Sequence, residues 1–75
     1  MKKIFFPGDD QQNKPFSIVD GGKIAVTNEK GITKEFSCNS VDENHVEIGV
    51  RIFHTYEFAE RMARKGYRYM PVMEV

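Results

Sequence analysis

The sequence predicts an α+β fold, a small antiparallel or mixed sheet of four to five strands with one helix packed on one face. Three observations carry that expectation. Val46, Ile48, Val50 and Ile52 alternate with Glu47, Gly49 and Arg51, which is the period of a half-buried strand. Phe58, Ala59, Met62 and Ala63 recur at helical spacing between Thr55 and Gly66. Clusters of turn residues at 20–22 and 28–31 separate short apolar runs.

Taken in order, Lys2 to Phe6 reads as a short strand, and Pro7 to Pro15 has no apolar residue between its prolines and reads as a loop. Phe16 to Val19 forms a second brief strand. Asp20-Gly21-Gly22 supplies residues that tolerate positive φ, so a hairpin into Lys23 to Thr27 is expected. Ile24 and Val26 share one face of that strand. Asn28-Glu29-Lys30-Gly31 turns the chain into Ile32 to Cys38, where Ile32, Phe36 and Cys38 share a face. Asn39 to Asn44 is a polar connection into the strand Val46 to Phe53. Thr55 offers a hydroxyl to cap a helix over 55–65, supported by Glu57 with Arg61 and Glu60 with Arg64 four residues apart. Gly66 sits where a left-handed residue closes a helix, with Tyr67 packing back on Met62. The segment from Tyr67 to Val75 makes the last strand, which Pro71 either places at a sheet edge or limits in its pairing.

The chain has 75 residues, 40% of them hydrophobic and 29% charged, which reads as one domain over 1–75. Eleven Lys plus Arg balance eleven Asp plus Glu. A net charge of zero argues against a protein that coats DNA through counterion release. The apolar runs are far short of the roughly 18 residues of a membrane span, and Pro7 to Asp10 ends the run that follows the basic start, so neither membrane nor secretion is expected. A single cysteine excludes an internal disulfide framework and fits a reducing, cytoplasmic setting.

Candidate chemistry is sparse. His45 and His54, read on one strand, lie about 30 Å apart on opposite faces and share no metal. Cys38 has no basic neighbour in sequence and reads as a small buried residue rather than a nucleophile. Asp9-Asp10 and Asp42-Glu43 lack the ligand spacing of a calcium loop. Gly21-Gly22-Lys23 lacks the remaining glycine and hydroxyl of a Walker loop, because Ser17 and Ile24 occupy those places. No enzyme activity and no cofactor are therefore expected.

Binding is better represented. Arg61, Arg64, Lys65 and Arg68 gather with Tyr67 and Tyr69 at the end of the helix and the start of the last strand. Rings that stack and cations that hold phosphates suit single-stranded nucleic acid. The same cations equally complement a helix C-terminus. By strand parity, Phe5, Phe53, Tyr67 and Tyr69 fall opposite Ile4, Phe6, Ile52, Met70 and Val72, leaving an aromatic face suited to a protein partner or a second copy. In size and general style the chain resembles small accessory proteins of bacteriophages and mobile elements, which bind and block a larger host protein. That resemblance carries no motif; it implies a cytoplasmic protein-binding module. The alternative expectation is an RNA- or single-strand-binding protein using residues 61–69.

Overall fold

A computed structural model describes residues 2–9, 11 and 14–72. The elements in chain order are β1 (Lys3–Phe6), β2 (Phe16–Val19), β3 (Lys23–Thr27), β4 (Thr33–Ser40), β5 (His45–Ile48), β6 (Arg51–His54), α1 (Thr55–Lys65) and β7 (Arg68–Pro71). β1 and β2 form a two-stranded sheet, and the other five form an antiparallel sheet in the order β6-β5-β4-β3-β7. The α+β expectation holds, with one helix over 55–65 on one face.

Local chemistry accounts for the turns. Asn28 accepts backbone N–H bonds from Lys30 (2.8 Å) and Ile32 (3.0 Å) through Oδ1, which closes the β3–β4 hairpin. Asp42 does the same between β4 and β5, accepting from the N–H groups of Asn44 (2.8 Å) and His45 (2.9 Å). Gly66, at φ 74°, ends α1 as expected, with its own N–H bonded to Ala63 O and that of Tyr67 to Met62 O (2.9 Å).

The helix leaves the sheet at β6 and delivers the chain to β7 at the opposite edge. Eleven residues rise about 16 Å, against about 19 Å for four strand spacings, so α1 runs between the two edges as a single strip that cannot cover the whole inner face. Phe58 and Met62 face the sheet. The β1–β2 hairpin covers a further part and adds Ile4, Phe6 and Ile18 to a core otherwise built from Ile24, Val26, Cys38, Val46, Ile48, Phe53 and Tyr69. Ring contacts knit the layers together, with Phe58 edge-on to Tyr69 (5.2 Å), to Phe53 (5.6 Å) and to Phe6 (5.9 Å). The Tyr69 hydroxyl donates to Pro7 O and so ties the loop after β1 to β7.

Several expectations are corrected. Residues 46–53 are not one strand but a hairpin, because Gly49 adopts φ 64° while Val50 keeps a negative φ, the pattern of a two-residue turn with glycine first. Reversal changes the parity: Val46 and Ile48 face inward, their partner strand turns Phe53 inward, and Val50 and Ile52 are exposed. The expected β2–β3 hairpin is absent. The chain does turn there, with Gly22 N–H bonded to Val19 O (2.9 Å) and Gly21 at φ 87°, but β2 pairs with β1 and β3 with β4 and β7. The turn is a corner between sheets. The helix is capped by His54, whose Nδ1 accepts the N–H of Tyr56 (3.2 Å), rather than by Thr55. Ala63 and Ile32 are exposed rather than in the core. Among the described residues, neither Glu57 with Arg61 nor Glu60 with Arg64 reaches ion-pair distance. Pro71 does sit in an edge strand; the expected continuation of that strand through 73–75 lies outside the described residues.

Candidate functional site

The residues singled out at 53 and 61–69 do not all share one surface. Tyr69 is fully buried and presents no ring to a partner, whereas Phe53, at 9% exposure, lines the groove described below. The expected aromatic face is corrected for the reason given above: the hairpin at Gly49 reverses parity in β6, and in β7 the pairing of Tyr69 with Val26 turns Tyr69 inward and leaves Met70 outside. Phe5 alone of that set is exposed. Tyr67 is half-buried against the core. Arg61, Arg64 and Lys65 are exposed, and Arg68 donates from Nε to Gln11 Oε1 (2.7 Å). Two of the cations lie over rings, Arg61 over Phe53 (5.5 Å) and Lys65 over Tyr67 (5.6 Å), which occupies the faces a nucleobase would need.

What the fold builds instead is a groove. The single helix and the β1–β2 hairpin together leave one corner of the inner face open between the Gly49-Val50 turn and the last turn of the helix. Val26, Phe36 and Ile48 line it from the sheet, Phe58 and Met62 from α1, and Tyr67 from the chain beyond. Its volume is about 280 Å³, and its charged lining residues are Arg51 and Lys65. Val50 stands at the lip with 94% of its surface exposed. Phe53, Lys65 and Tyr67 are lining residues anticipated from sequence; Phe36, Val50 and Arg51 are not. Gly49 was the available signal, since a glycine inside an alternating run also marks a hairpin when a two-residue turn can form around it.

A second, larger concavity of about 480 Å³ lies at the opposite end of β5 and is lined by Lys2, Lys3, Phe5, Asp42, His45, His54 and Tyr56, among others. Here the two histidines are direct cross-strand partners with ring centroids 6.1 Å apart, not about 30 Å apart as a single strand would require. The His45 imidazole Nδ1 is 2.9 Å and 3.1 Å from the two Asp42 carboxylate oxygens. Asp42 is held below its ordinary pKa of 3.8, first by the backbone N–H of Asn44 and then by the His45 ring. His54 spends its Nδ1 lone pair on the helix cap. Binding a metal through Nε2 would put a proton on Nδ1 and oppose two donors, so this pair is a poor metal site as it stands. Among the described residues no group of three or more His, Cys, Asp or Glu side chains is placed to hold an ion.

Cys38 is fully buried, and burial pushes its thiol up from 9.0 to about 12, opposed in part by a hydrogen bond with the Ile24 backbone. A nucleophilic cysteine needs the opposite shift. No described helix is long and apolar enough to cross a membrane. Comparisons with protein-family models, with curated proteins and with solved structures each find no match.

Proposed function

We propose that the protein is a small cytoplasmic binding module that takes a segment of another polypeptide into the groove between α1 and the β5–β6 turn. The observation that carries this reading is the open corner of the inner sheet face, where half-buried Phe36 and Tyr67 and a solvent-exposed Val50 surround a floor of buried Val26, Ile48 and Met62. Apolar surface gains about 25 cal/mol for each Å² removed from water, and neither the helix nor the β1–β2 hairpin closes this corner. A free thiol buried in the core supports a reducing compartment. The nucleic-acid alternative at 61–69 is less well supported, because Tyr69 is inside the core and Tyr67 lies under Lys65.

Selection of peptides from a displayed random library on the immobilised protein tests the reading. Selected peptides should lose binding to Val50→Asp, which removes the apolar lip without touching the core, and should keep binding to Glu35→Lys, on an exposed strand position. Peptides indifferent to Val50→Asp but sensitive to Glu35→Lys would move the site to the outer face of the sheet and sink the proposal.

A further inference from the structure

Resting on the groove reading above, we infer that the segment it receives is acidic, with apolar anchors set among carboxylates. Only cations supply the groove's charge: Arg51 at its turn side and Lys65 at its helix side line it, and among the described residues no carboxylate does. Arg61 stands beside them over Phe53, and Lys34, paired with Val26, projects from the same sheet face. This is not a property of the whole surface. The chain carries equal numbers of cations and anions, and among the described residues Asp42 and Glu43 lie at the other concavity and Glu47 is paired with the exposed Ile52.

The physical consequence is selective. A segment laid over the apolar floor removes water from Arg51 and Lys65, and only a partner that brings carboxylates compensates them; a basic segment leaves like charges facing each other. The volume falls just under the roughly 300–1,000 Å³ of small-molecule pockets, so it suits a few side chains of a peptide rather than a whole cofactor. Among the described residues, an exposed segment of similar chemistry is Val41-Asp42-Glu43 at the far end of β5. Its Asp42 carboxylate is already engaged by the loop N–H groups and the His45 ring, which leaves Glu43 alone to answer the cations and disfavours a second copy.

Fluorescein-labelled peptides carrying leucines among glutamates, a lysine-for-glutamate twin and an alanine-for-leucine twin provide the test, read by polarisation and by backbone amide shifts of the ¹⁵N-labelled full chain. The acidic leucine peptide should bind at least about tenfold more tightly than either twin, with shifts centred on Phe36, Gly49, Val50 and Met62. The double variant Arg51→Glu, Lys65→Glu should reverse the preference between acidic and basic peptides. Both residues are exposed, so an unchanged thermal transition verifies the fold. Equal binding of the acidic and basic peptides at the groove would overturn the charge inference while leaving the groove reading intact. Shifts centred elsewhere, or no binding of any peptide, would overturn both. Self-association of the wild type abolished by Glu43→Lys would replace the foreign segment with a second copy.

Discussion

Cys38 and His54 show how placement decides the chemistry of a side chain. With its thiol titrating near 12 rather than 9.0, Cys38 is neutral across the ordinary pH range and packed among apolar neighbours. A thiol reagent should therefore modify the native protein far more slowly than the chain in denaturant, and Cys38→Ala should cost about 1 kcal/mol, the scale of a small buried group. The linkage has a definite sign. Because the folded pKa is the higher one, the unfolded chain loses its proton first, so this residue's contribution is intact below pH 9 and is lost as pH rises from 9 toward 12. Rapid native labelling at neutral pH would contradict the burial argument. His54 also has two structural roles, as cross-strand partner of His45 and, through Nδ1, as the cap of α1, and neither role is visible from its place beside Thr55.

Among the elements, the β5–β6 hairpin matters most, since it places Phe53 in the core and Val50 at the groove. Everything depends on Gly49. A side chain at φ 64° is strained, and a Cβ there would come within 3.2 Å of the Phe36 ring, itself part of the groove wall. Gly49→Ala should destabilise the domain by roughly 1–2 kcal/mol from backbone strain alone and displace Phe36, measurable as a lowered denaturant midpoint with shift changes confined to the turn and β4. A midpoint equal to wild type would show that the turn tolerates a side chain and does not set the groove. The helix, by contrast, is held by a glycine C-cap and by an apolar stripe reduced to Phe58 and Met62.

On the scale of the whole molecule, stability rests on three units meeting in one cluster: the five-stranded sheet, α1 and the β1–β2 hairpin. Ile48 lies in that cluster and also lines the groove. Ile48→Asp should abolish the cooperative thermal transition, because an unpaired buried carboxylate costs several kcal/mol, comparable to the whole stability of a domain this small. A transition retained at the wild-type temperature would remove β5 from the core.

Features that depend on neighbours in sequence were legible. The helix limits follow from Gly66 and the spacing of Phe58 and Met62, the β3–β4 hairpin from Asn28 and Gly31, the edge position of β7 from a proline that cannot donate, and the burial of Cys38 from its apolar face. What only the tertiary structure decided was which strand pairs with which. Asp20-Gly21-Gly22 dictates a turn, but whether the strands it joins then pair depends on competing edges, and β2 finds β1 while β3 finds β4 and β7. An alternating run with one glycine fits a single strand or a hairpin equally well by hydrophobic period. The choice falls to the hairpin because Phe53, turned inward by it, meets Phe58. The groove follows from that choice and from the placement of one helix too short to cover the sheet, features set by packing across the whole chain rather than by any local run of residues.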